Sequence, residues 1–135
     1  MATSAFVASK QLTEDLERHS TPVPCPRQRV LFRQGDDPTG VYIVSRGGAA
    51  LTMHSASGEV VLRLEAGPGS VLGLPGVIAN NPYSLTAVAH RGAKVGFVTR
   101  EDFTAMMSKQ AMFSLNVLQV LADQVHAARQ AIFDS

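Results

Sequence analysis

The stretch GPGSVLGLPGVIANNPYSLTAVA, Gly67 to Ala89, decides how the rest of the chain is read. It opens with the turn Gly67-Pro68-Gly69 and a short apolar run to Leu72. Gly73-Leu74-Pro75-Gly76 follows, too short and too rich in turn residues for a regular helix. Asn80-Asn81-Pro82 makes a second break, and Ser84 to Ala89 has the β-branched character of a strand. Two strands joined by a compact, glycine-bearing turn of helix would bring several backbone N–H groups to one point. Such groups form a natural cradle for an anion.

On either side the chain alternates short apolar runs with turn clusters. The runs are Val30–Phe32, Val41–Ser45, Ala49–His54, Val60–Glu65, Val71-Leu72, Leu85–Ala89 and Lys94–Val98. Their spacing of roughly 8–12 residues argues for an antiparallel sandwich or barrel-like roll. Before them, Pro22, Pro24 and Pro26 forbid helix and suggest extended chain at a sheet edge. Earlier still, Phe6, Leu12 and Leu16 recur at helical intervals, predicting an amphipathic helix over residues 4–19 capped by Ser4. Two helices are expected at the end, over Arg100–Ser108 and from about Gln110 to Phe133.

A chain of 135 residues is expected to form a single domain, with helix over 4–19, β-roll over 22–99 and helices over 100–133. With 12 basic and 11 acidic residues it carries no bulk charge that would point to nucleic acid or a membrane. No apolar run approaches the ~20 residues that span a bilayer, and the start lacks a signal peptide's apolar core. A cytoplasmic location is the expectation. The lone Cys25 forms no internal disulfide and no cysteine cluster.

The central stretch resembles the phosphate-binding cassette of cyclic nucleotide-binding domains, as in the catabolite activator family of bacterial regulators. Gly69, Leu72, Gly73, Gly76, Val77, Ile78, Asn80, Pro82, Ser84, Thr86 and Ala87 fall on the family's pattern without a gap. A second block, Phe32-x-x-Gly35-Asp36 with Tyr42-Ile43-Val44-x-x-Gly47-x-Ala49, is similar to that family too, and the likeness covers about residues 5–133. It implies a mainly β fold with flanking helices: an antiparallel β-roll of jelly-roll type with an N-terminal helix and a long C-terminal dimerisation helix.

Two positions depart from the pattern. Leu74 stands where the family has a glutamate for the ribose hydroxyl, and Tyr83 where it has an arginine for the cyclic phosphate. The resemblance thus implies a ligand pocket at Gly73, Leu74, Pro75, Gly76, Tyr83 and Ser84 that is not expected to bind cyclic AMP in the family's usual way. A phosphate buried there would lack its paired charge. Tyr83 would either line a pocket for a less charged ligand or fill the vacated space. Arg63, Arg91 and Arg129 are the alternative sources of charge from elsewhere in the chain, which spacing alone does not place.

In the long helix, Ala111, Ser114, Leu118, Leu121, Val125, Ala128 and Ile132 follow a heptad, while Leu115, Val117 and Val120 make a second apolar face. The resemblance makes this helix a dimer axis whose later turns, His126 to Arg129, face the ligand. The expected partners are a second copy of the chain and a small-molecule or nucleotide-like ligand. Neither direct DNA binding nor membrane association is expected.

No cofactor, metal site or catalytic residue is expected. His19, His54, His90 and His126 are scattered, without the paired histidines of metal-binding cupin barrels, and no nucleophile–base arrangement or Walker loop is present. The function expected is a non-enzymatic regulatory or sensor domain. Alternatives are a cupin-type metalloenzyme on a similar roll, the sensor half of a truncated transcription regulator, and a pure interaction scaffold.

Overall fold

Strand β3 (Gly40–Arg46) is the centre of the molecule, and its apolar run is buried on both faces. The computed structural model describes residues 2–134, and the side chains of all of these except 128 and 131–134. Around β3 the chain lays down β1 (Thr21–Val23), β2 (Arg29–Phe32), β4 (Ala49–His54), β5 (Val60–Ala66), β6 (Val71–Leu72), β7 (Thr86–Ala89) and β8 (Lys94–Thr99). They form two antiparallel sheets, β1-β8-β3-β6 and β2-β7-β4-β5, closed into a roll. The mainly β architecture with flanking helices matches the expectation.

Side-chain alternation along a strand explains why β3 reads as an unbroken apolar run. Val41 and Ile43 point out of the roll into one core cluster, with Leu12, Leu16, Phe103, Phe113 and Val117. Tyr42 and Val44 point inward to a second cluster, with Phe32, Leu51, Leu72 and Ala87. The sheet containing β3 is therefore covered twice, by the opposing sheet and by helices α1 (Lys10–Arg18), α3 (Arg100–Lys109) and α4 (Ala111–Asp134).

Helix α1 is shorter than the periodicity implied. Ser9, not Ser4, is its N-cap, accepting from Leu12 N at 3.3 Å. Residues before it pair instead with the roll: Thr3 N donates to Glu65 O and Val71 N to Phe6 O. These sheet-edge hydrogen bonds win over a further helical turn, and they draw Phe6 off the helix. Thr99 caps α3 by accepting from Asp102 N at 3.1 Å, and Phe103 meets Phe113 of α4 edge-on with ring centroids 5.6 Å apart.

Candidate ligand-binding site

Between β6 and β7 the chain forms α2 (Leu74–Ala79), a helix of six residues. Gly73 caps it at φ 92°, a left-handed conformation that side chains resist. Space matters there as well: a Cβ on Gly73 would lie 3.0 Å from the Tyr83 ring and 3.2 Å from Gly40 O. Gly40 is itself closed in, since a Cβ there would sit 2.3 Å from Val98 O. The two glycines let the cassette approach β3 closely enough for Tyr83 to bridge them.

Tyr83 is 3% exposed and its hydroxyl is fully used. It donates to Gly40 O at 2.6 Å and accepts from Thr39 N and Gly40 N, each at 3.1 Å. Its ring stacks on Phe32 with centroids 4.1 Å apart. Its backbone joins the other family block, accepting from Gly35 N at 2.8 Å and donating to Asp36 O at 3.0 Å. The position where a cation would meet a phosphate is thus an aromatic clamp between cassette, β2 and β3.

A cavity of about 440 Å³ opens beside this clamp. The cassette contributes Gly73, Pro75, Gly76, Tyr83, Ser84 and Leu85, and the roll contributes Phe32, Met53, Leu62 and Leu64. The N-terminal segment adds Thr3, Ala5 and Phe6, and α4 adds Leu121, Gln124, Val125 and Ala127. Tyr83 therefore lines the space without filling it. Among the described residues no charged side chain lines the cavity; Arg63, Arg91 and Arg129 do not reach it.

Leu74 requires a correction. Its side chain is fully buried in the helix-side core with Val77 and Phe103 and does not line the cavity. The first turn of α2 directs it beneath the cassette, toward α3. The backbone cradle is also thin. Pro75 has no N–H, Val77 N donates to Gly73 O, and Asn81 N donates to Gly76 O.

Helix α4 presents two stripes, in a register different from the one expected. Phe113, Val117 and Val120 are buried on the domain, and Gln124 and Ala127 continue that line into the cavity. Ser114, expected on the outer seam, instead turns toward α3 and donates to Met107 O at 2.7 Å. Leu121 packs on the core. The exposed stripe runs through Met112, Leu115, Leu118 and Val125, each more than half exposed. Leu115 thus belongs outside, not with Val117 and Val120. Expectations for the side chains of Ala128 and Ile132 lie outside the described residues.

Gln124 is a cavity residue outside the sequence-based expectation. Its signal was available: Phe113, Val117, Val120, Gln124 and Ala127 recur at intervals of four and three, with one polar residue on an otherwise apolar line. Met53, Leu62 and Leu64 were hidden because they read simply as strand core.

Two layers of antiparallel strands, a short helical cassette and a long closing helix make up a β-roll of the cyclic nucleotide-binding type. The family model for the cyclic nucleotide-binding domain matches residues 22–110, and the chain belongs to that family. The cyclic AMP receptor protein of Thermus thermophilus is 25% identical over 103 residues, covering 76% of this chain and 48% of that protein. The chain thus spans about half the length of this curated relative. The catabolite activator protein of Thermus thermophilus superposes with a TM-score of 0.75 at 21% identity, over 92% of this chain and 58% of that one. The sensor domain of a transcriptional regulator from Pseudomonas aeruginosa does so with a TM-score of 0.67 at 16% identity, over 90% and 82%.

Among the described residues no group of three His, Cys, Asp or Glu is placed to hold a metal ion, so a cupin-type site finds no ligand set there. No helix of these residues is long and apolar enough to cross a membrane.

Proposed function

We propose that this domain is a non-enzymatic regulatory module in which occupancy of the cassette cavity biases the pairing of α4 with a second copy of the chain. It does so without binding cyclic AMP through the family's charged contacts, and a cytoplasmic location fits this reading. The single observation that carries it is the double duty of α4. Leu121, Gln124 and Ala127 border the cavity, while Leu115 and Leu118 form an exposed apolar stripe on the same helix. Val125, 58% exposed, belongs to both. A ligand shifts such an equilibrium only through different affinity for two arrangements, and a helix shared by cavity and exposed stripe supplies the means.

Sedimentation equilibrium tests this. The unmodified chain is expected to dimerise at micromolar concentration, and the Leu118→Glu, Val125→Glu double variant to be monomeric, because buried like charges oppose pairing. A monomeric unmodified chain would refute the proposal.

A further inference from the structure

Charge on this molecule is segregated, although the whole chain sums to only +1. Three connections meet at one end of the roll. Arg29 of β2 lies opposite Ala89, Arg46 of β3 lies opposite Lys94, and Gly92 N donates to Cys25 O at 2.8 Å. Arg27, Arg29, Arg46, Arg91 and Lys94 therefore share this end, and all five are exposed. Among the described residues none of them has an ion-pair partner. The carboxylates nearby are engaged already, Glu65 with His90 and Glu17 with the Ser45 hydroxyl at 2.7 Å. The opposite end reverses the sign. Asp36, Asp37, Glu59, Glu101 and Asp102 gather there with Arg33 and Arg100. β3 has seven residues, so the two ends stand about 20 Å apart, well beyond a Debye length of ~8–10 Å. An approaching anion meets the basic end as a surface of its own.

A groove of about 270 Å³ adjoins this end, where the edge strands β1 and β2 of the two sheets part. Arg29 belongs to both, lining the groove beside Val23, Leu31, Tyr42 and Phe97. The Tyr42 and Phe97 rings meet there with centroids 4.9 Å apart, and Thr21, Pro22 and Val30 complete the lining. An added strand finds little to pair with. Pro22 has no N–H, and Leu31 O already accepts from the Tyr42 hydroxyl at 3.0 Å. Recognition here falls to side chains.

We propose that this end of the roll docks an acidic segment of a partner protein. Its carboxylates would lie on Arg29, Arg46, Arg91 and Lys94, and one large apolar side chain would enter the groove. Charge complementarity selects the acid, since four of the five cations are arginines, whose planar fork matches a carboxylate. The groove selects a peptide over a nucleic acid, because a phosphate backbone would use the cations and leave the Tyr42–Phe97 pair uncovered. Its volume, at roughly 30 Å³ per water, suits a single leucine- or phenylalanine-sized group. The groove shares no lining residue with the cassette cavity, so docking here stands apart from the cavity reading.

Fluorescence anisotropy of the whole chain with a labelled Glu-Asp-Glu-Phe-Glu-Asp-Glu peptide tests this. Binding is expected with a dissociation constant on the order of 10–500 μM, weakening at least about fivefold between about 50 and about 300 mM sodium chloride. Replacing the peptide's phenylalanine by serine should weaken it about three- to tenfold. Replacing its acids by glutamine and asparagine should abolish binding. Arg46→Glu with Arg91→Glu should weaken it at least about tenfold; Arg46→Gln with Arg91→Gln serves if the reversed pair does not fold by circular dichroism. Arg33→Glu with Arg100→Glu makes the same change of net charge at the opposite end and should leave affinity within about twofold.

No peptide binding at millimolar concentration, equal loss from the two reversed pairs, or indifference to the peptide's phenylalanine overturns the proposal. So does a DNA duplex of about 20 base pairs bound more tightly than the peptide through the same arginines, which would assign this face to nucleic acid.

Discussion

Tyr83 holds its place by hydrogen bonds to backbone, not by touching a ligand's charge, and this makes its removal measurable without any ligand. Tyr83→Phe leaves Thr39 N, Gly40 N and Gly40 O without their shared partner. A loss of about 1–3 kcal/mol is expected, read from urea denaturation of unmodified and variant protein. Leu74→Glu should do more harm, because the carboxylate would enter the core with Val77 and Phe103, where nothing pairs it. Tyr42 offers a test by pH. Burial pushes its phenol above the ordinary value of 10.0, with the neighbouring Tyr83 adding to the shift and Arg29 opposing it. A folded state that holds this proton more tightly keeps the associated stability below about pH 10 and loses it as pH rises through the folded value. Denaturation between pH 8 and 12 should therefore show an alkaline decline that Tyr42→Phe, which has no such proton, makes shallower. An identical decline in the variant would remove Tyr42 from the account.

Helix α4 is where element-scale reasoning is both strongest and most easily misled. Phe113→Ala, in the core beside Phe103, is expected to cost about 3–5 kcal/mol, whereas Leu118→Ala on the exposed stripe should change monomer stability by less than about 0.5 kcal/mol. Chemical denaturation of dilute protein separates the two. That the helix is long and apolar on two sides was legible from its period alone. Which residues share a face was not, because Leu115, Leu118 and Leu121 are chemically equivalent and only packing on the core decides which one turns inward. The same limit applies to α1. Phe6 has the right spacing from Leu12 and Leu16 for one helical face, but backbone pairing at the roll's edge takes its segment away. Cassette glycines were more telling, since Gly73 needs both its left-handed φ of 92° and the room beside the Tyr83 ring.

The roll as a whole was readable from the rhythm of turns and β-branched runs, because closing an antiparallel sheet requires turn residues at nearly fixed intervals. Missing charge was readable as well: a tyrosine where the family has arginine is visible without coordinates. What the sequence does not carry is the space left over. Whether Tyr83 closes the pocket or merely borders it depends on the direction of its hydroxyl. That direction is set by Gly40, more than forty positions away in the chain. Likewise, the family pattern puts Leu74 at the pocket, whereas the turn of α2 buries it in the helix-side core. A cyclic nucleotide-type fold here encloses a cavity that, among the described residues, has no cationic side chain on its wall to receive a phosphate. The most direct test is isothermal titration calorimetry of the unmodified chain with cyclic AMP. The account predicts no binding tighter than roughly 100 μM, since a missing charged partner in a desolvated site costs about 2–5 kcal/mol and each 1.4 kcal/mol is tenfold. A submicromolar dissociation constant would contradict it.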